Sequence, residues 1–148
     1  MVKNESDEVS KSLTNKSIFI VWKPEYLLGI PVIDEQHRGI VTTINSLHFA
    51  MQHKHGEQML QPVIGMVNAY TKIHFDIEEE FHKGCNYPDL KQHHEMHNDL
   101  LKQLSSVGKE SLYNNNPQQF LEFLKNWWID HIREKDRLFR DYILELSR

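Results

Sequence analysis

From His74 to His97 the chain reads HFDIEEEFHKGCNYPDLKQHHEMH, a stretch with two i,i+4 pairs of metal-ligand type, His74/Glu78 and His93/His97. Residues four apart on a helix stack on one face about one turn from each other, so each pair aims two donor groups at one point. The segment between the pairs, HKGCNYPD, reads as a turn: Gly84 and Asn86 break the helix, and Pro88 forces Tyr87 out of the helical region. Helices that meet at so short a turn run antiparallel and face each other. This stretch already supplies half of a metal site, and the fold must complete it.

The rest of the sequence supplies the other faces. Residues 1–17 are polar and aperiodic and are expected to form a tail. Residues 18–33, IFIVWKPEYLLGIPVI, are apolar but interrupted by Pro24, Gly29 and Pro31, which predicts an extended arm over a core with Trp22 as its anchor; a short hairpin is the rival form. A first helix is expected to open at Asp34 as N-cap, with the stripe Ile40, Ile44, Leu47 and Met51, to carry His37 on that stripe, and to end at Gly56. A second has the stripe Leu60, Val63, Val67, Tyr70, His74, Glu78 and Phe81. A third, capped by Asp89, carries Leu90, His93, His97, Leu100 and Leu104 and is expected to close before Gly108, with SLYNNNP as a loop. A fourth opens at Asn116 with Pro117 in the first turn and carries Phe120, Leu124, Trp127, His131, Leu138 and Tyr142. Four amphipathic helices with short connections predict an all-α, up-down-up-down four-helix bundle over residues 18–148, which opens with the extended arm.

Composition narrows the function classes. A net charge of -4 with 26% charged residues of both signs gives no nucleic-acid footprint. No apolar run reaches the ~18 residues of a membrane span, and the opening MVKNESDEVSKSLTNKS lacks the apolar core of a signal peptide. With Cys85 as the single cysteine, a cytoplasmic protein is the expectation.

The histidine count is unusual, with 10 in 148. His37, His74, His93, His97 and His131 fall on inward stripes, at least one per helix. A lone histidine on an apolar stripe is ordinarily a satisfied core residue. Five at one depth, with Glu78 among them, are too many to satisfy one another, since each unpaired buried polar group costs a few kcal/mol. His48, His53, His55, His82 and His94 read instead as exposed polar residues, Cys85 as a bystander in the turn, and Glu78–Glu80 as a mostly solvated face from which Glu78 alone points inward. Five imidazoles and one or two carboxylates exceed the four ligands of a zinc site, and nitrogen-rich ligation disfavours calcium and magnesium. Two carboxylate-bridged irons fit the count.

These residues resemble the hemerythrin family in its bacterial single-domain form. The likeness runs from Trp22 to Tyr142 and rests on LGIPVIDEQH with His37, HFDIEE with His74 and Glu78, HHEMH with His93 and His97, and HIREKD with His131 and Asp136. The resemblance implies a non-haem di-iron protein that binds dioxygen reversibly, for storage, transport or delivery, and is not an enzyme. It implies His93, His97 and His131 on one iron, His37 and His74 on the other, and Glu78, Asp136 and a single oxygen bridging them. It also implies an apolar oxygen pocket at Ile40, Phe75, Trp127, Trp128 and Ile132. Dioxygen is the expected partner, and the sequence leaves an oxygen-consuming acceptor protein unidentified; a di-iron oxidase or peroxidase and an oxygen-sensing module are the alternatives.

Two positions stand apart from that pattern. Asp136 is five residues after His131, about 140° around a regular helix, where geometry alone selects Glu134. Since the resemblance selects Asp136, the helix is expected to widen between them as a π-type turn. Trp128 stands where related sequences commonly carry a leucine, and its i,i+3 relation to His131 points the indole toward the cluster, where it would narrow the route to the open iron and its N–H would need a partner; the rival reading is that it turns to a neighbouring helix seam and fills core.

Overall fold

The computed structural model describes residues 18–147; the expected tail, residues 1–17, lies outside them. After an arm containing a short 3-10 turn at Pro24–Tyr26 come α1 (Pro31–Gln52), α2 (Gly56–Gly84), α3 (Leu90–Tyr113) and α4 (Pro117–Asp130). α4 continues through a π-helical segment, His131–Asp136, into α5 (Arg137–Leu146). α1 packs on α2, α2 on α3, α3 on α4, and α4 back on α1, which closes the up-down-up-down four-helix bundle. Among the described residues no helix is long and apolar enough to cross a membrane.

Helix starts and stops correct the sequence expectations at Asp34, Gly56, Gly108 and Asp89. α1 begins at Pro31, three residues before Asp34, because a proline fits the first turn without losing a hydrogen bond. Asp34 therefore does not cap the helix; its carboxylate accepts from Leu28 N at 2.7 Å and Gly29 N at 3.1 Å and ties the arm to the first turn. Gly56 opens α2 instead of ending α1, and the reversal is made by Lys54 at φ 61°. Gly108 does not stop α3: a Cβ there would come within 3.1 Å of Ile64 Cγ2, so the glycine lets two helices approach. α3 runs on to Tyr113, and the turn is confined to Asn114–Asn116, with Asn115 at φ 49°. Asn116 does cap α4, accepting from Gln119 N at 3.1 Å, whereas Asp89 precedes α3 without a side-chain cap bond.

The arm is extended, as expected, but Trp22 is not its main anchor. Ile20, Tyr26, Leu28 and Ile30 are its buried residues, and Asn45 of α1 holds the backbone: Phe19 N and Ile20 N donate to its Oδ1 at 2.9 and 2.8 Å, while its Nδ2 donates to Ile20 O at 2.9 Å. Trp22 is half-buried, edge-on to Tyr26 and covered by the Arg38 guanidinium.

Two apolar clusters remain, and the polar residues lie between them. The larger includes Ile40, Ile44, Leu47, Phe75, Leu124, Trp127 and Trp128. The smaller gathers Leu28, Ile30, Ile33, Tyr87 and Phe139 at the other end. Leu138, placed inward by a regular 3.6 period, is 55% exposed, and Phe139 is buried in its stead. The π segment is the reason: it takes one more residue per turn and advances the inward face by one position.

Candidate metal centre

All seven ligand-type residues reach one buried region: His37 from α1, His74 and Glu78 from α2, His93 and His97 from α3, and His131 and Asp136 from the π segment. The i,i+4 pairs of α2 and α3 face each other across the turn, as their spacing requires. Asp136 gets there because the helix widens from His131 to Asp136, bringing a residue five positions on to the face of the first.

The carboxylates divide the imidazoles into two groups. Glu78 Oε2 lies 3.3 Å from His74 Nε2, and Glu78 Oε1 lies 3.2 Å from His93 Nε2 and 3.4 Å from His97 Nε2. Asp136 Oδ2 lies 3.1 Å from His37 Nε2, and its Oδ1 lies 3.1 Å from His131 Nε2 and 3.8 Å from His93 Nε2. His37 and His74, whose Nε2 atoms are 3.0 Å apart, thus share one oxygen from each carboxylate; His93, His97 and His131 share the other two. Suitable donor atoms of His37, His74, Glu78 and Asp136, and again of Glu78, His93 and His97, all fall within 4.8 Å of one another, close enough for either group to hold a metal ion.

The donor set fits cations better than it fits itself. Both oxygens of Glu78 and of Asp136, and Nε2 of His93, His97 and His131, are buried without a hydrogen-bond partner among the described residues. Leaving that many convergent acceptors and imidazoles unpaired costs of order 1–3 kcal/mol each, a cost that coordination removes. The titration behaviour follows. Burial alone would raise Glu78, but His74, His93 and His97 hold it well below the usual carboxylate range. Asp136 is likewise lowered: burial and Glu78 push it up, and His131 and His37 outweigh them. Burial works against a proton on His93, yet Asp136 and Glu78 raise it to about 9. In His37 burial prevails and the pKa falls.

Outer contacts that the sequence reading missed orient the imidazoles. His74 Nδ1 is 3.0 Å from Gln36 Oε1, and His97 Nδ1 is 3.1 Å from Glu79 Oε1, which also meets His94 Nδ1 at 2.8 Å. Each frees Nε2 for the centre by placing the proton on Nδ1. Glu79 is therefore not part of a solvated face. The signal was available: Gln36 and Glu79 are neighbours in sequence of His37 and Glu78. His82, read as exposed, is fully buried, and burial lowers its pKa to about 4. It follows Glu78 by four residues, which is the spacing that should have placed it inward.

Aromatic residues wall the centre on the side of the larger core. Phe75 stacks on His97 with centroids 3.8 Å apart and planes 3° apart. Trp127 lies parallel to His131 at 6.3 Å, and Trp128 meets His37 edge-on at 5.0 Å. Ile40 is buried in the same core, and the side chain of Ile132 lies outside the described residues. The indole of Trp128 points toward the cluster, but its N–H has no partner among the described residues, contrary to expectation.

Comparison with known proteins agrees with this arrangement. A family model described as the hemerythrin HHE cation binding domain matches residues 28–143. A bacteriohemerythrin of Stenotrophomonas maltophilia is 31% identical over 125 residues, covering 84% of this chain and 81% of the relative. One of Clostridium acetobutylicum is 29% identical over 82% of this chain and 98% of the relative. A hemerythrin of Sipunculus nudus is 26% identical over 83% of this chain and 92% of the relative.

Proposed function

The chain belongs to the hemerythrin family, and on that premise we propose that the buried cluster holds two iron ions and that the protein binds dioxygen reversibly, for storage, transport or delivery, without turning over a substrate. The observation that carries this reading is the division of the two carboxylates: each presents one oxygen to the His37/His74 group and the other to the His93/His97/His131 group. A single ion would have no use for that symmetry, whereas two ions, one held by each group, would use all four oxygens of Glu78 and Asp136.

When bound, a di-iron centre supplies two one-electron donors, the redox capacity that reversible dioxygen capture needs. The chain's own residues set the conditions. The His93/His97/His131 group would give a metal ion one more imidazole than the His37/His74 group, so the His37/His74 side would have more room for a small ligand. Gln36 and Glu79 fix the tautomers of His74 and His97. Phe75, Trp127 and Trp128 line the centre with rings that do not titrate near neutrality, so they exclude water and offer no proton to a substrate.

The test is metal analysis of protein produced with ample iron, with optical spectra through repeated anaerobic and aerobic cycles. Two irons per chain and a colour change that reverses in each cycle are expected. One zinc per chain overturns the metal assignment. Continuous consumption of a reductant with irreversible bleaching replaces oxygen binding with oxidase chemistry.

A further inference from the structure

His82 is a sixth buried imidazole beside the centre and lies outside the set of seven. It sits one helical turn beyond Glu78 on α2, with Nε2 3.7 Å from Glu78 Oε1. Its ring is clamped edge-on between His93, at 4.6 Å, and Phe139, at 4.2 Å, with Tyr87 at 4.9 Å. Neither ring nitrogen has a hydrogen-bond partner among the described residues. A neutral imidazole always carries one N–H, and burying it unpaired costs about 1–3 kcal/mol. A carboxylate oxygen is a strong acceptor, and bringing 3.7 Å into hydrogen-bond range takes a shift of about half an ångström, less than a rotamer change.

We propose that His82 is a positioning residue of the metal centre: its Nε2–H donates to Glu78 Oε1, fixes the orientation of that carboxylate and draws charge from it. The inference rests on the di-iron reading above. The same oxygen faces His93 and His97 at 3.2 and 3.4 Å, closer than His82, so His82 stands behind the carboxylate and acts through it. A carboxylate that accepts a hydrogen bond is a weaker donor to a metal ion, which favours the lower oxidation state. Phe139 and Tyr87 keep water from competing for the oxygen and hold the ring against it.

The test compares the full-length iron-loaded parent with His82→Met, which has no donor, and His82→Gln, whose amide N–H can occupy the place of Nε2. The readouts are iron per chain, loss of Fe(II) to a chelator, the midpoint potential of the centre, and the nitrogen-ligand count from X-ray absorption. His82→Met is expected to lower the potential and weaken iron retention roughly 10–100-fold. His82→Gln should recover most of both, with the nitrogen count unchanged throughout. Equal losses in both variants would assign His82 a role in shape alone and overturn the proposal. A nitrogen lost in His82→Met would make it a ligand and overturn it equally. A parent with two irons whose variants match it in potential and retention refutes the His82 inference alone; a parent without two irons refutes the di-iron reading itself.

Discussion

Replacing Trp128 separates packing from gating, and the structure sets the sizes. The indole is fully buried, edge-on to His37, and its N–H is unpaired among the described residues. Trp128→Phe removes about 40 Å³, which at roughly 24 cal/mol per Å³ of cavity costs about 1 kcal/mol. It also removes a buried donor whose desolvation costs about 1–3 kcal/mol. The second effect offsets the first, so Trp128→Phe is expected to lie between the parent's stability and about 2 kcal/mol above it in urea unfolding of the metal-free chain. Trp128→Ala has no such compensation and should lose about 3–5 kcal/mol. Because the ring stands beside His37, on the side the di-iron reading assigns to the incoming ligand, Trp128→Leu should hold the parent's iron content and bind azide faster, and its oxygenated form should autoxidise faster. Stopped-flow azide binding and the decay of the oxygenated spectrum measure both. A loss above about 2 kcal/mol in Trp128→Phe would show that the N–H is paired in solution. Azide and autoxidation rates equal to the parent's in Trp128→Leu would leave Trp128 as a core filler.

Three further outcomes follow from the geometry. Asp136→Asn should weaken iron retention at least as much as the roughly 10–100-fold typical of outer-contact changes, while Glu134→Gln leaves it unchanged; metal analysis after dialysis against a chelator reads both, and the reverse result would mean that the helix is regular there. Since His93 is raised from 6.5 to about 9 in the metal-free chain, its charge stabilises that chain fully below 6.5 and the contribution is lost as pH rises through about 9. Iron must expel this proton, so apparent Fe(II) affinity should climb with pH up to about 9, by as much as about tenfold per pH unit for one proton, and chelator competition at two pH values that gives equal affinities would contradict it. Glu79→Ala frees the Nδ1 proton of His97 from its acceptor and should lower iron affinity roughly 10-fold or more, with His94→Ala as the control that leaves the Glu79–His97 contact in place.

The bundle and six of the seven cluster residues were legible because they are written in repeating spacings, the 3.6-residue stripes and the i,i+4 pairs; Asp136, five residues after His131, came only from the family resemblance. Helix ends were less so, because a single glycine or aspartate signals more than one thing. Gly108 reads as a stop, but its missing Cβ serves the approach of Ile64. Asp34 reads as a cap, but its carboxylate serves the backbone of Leu28 and Gly29. Local sequence does not choose between these uses; the neighbouring helix or arm does. His82 illustrates the same rule. Two residues before Gly84 it looks like a frayed helix end, and what buries it is Tyr87 beyond the turn and Phe139 from the far end of the chain.

The π segment joins these two points. A regular helix would place residues 131, 135 and 138 on one face, with Lys135 and Leu138 turned to the site; both are exposed. With one more residue in the turn the inward positions become Asp136 and Phe139, and both are fully buried. Phe139 lies three residues after Asp136, so the widening that delivers the carboxylate to His37 and His131 also sets the phenyl ring against His82. Expecting the widening and keeping Leu138 inward were therefore inconsistent, since both depend on the same rotation. The physical consequence is that the carboxylate between the imidazole groups and the apolar cover behind Glu78 are placed by one local distortion. A change that straightened the helix would move Asp136 away from the centre and Phe139 away from His82 together.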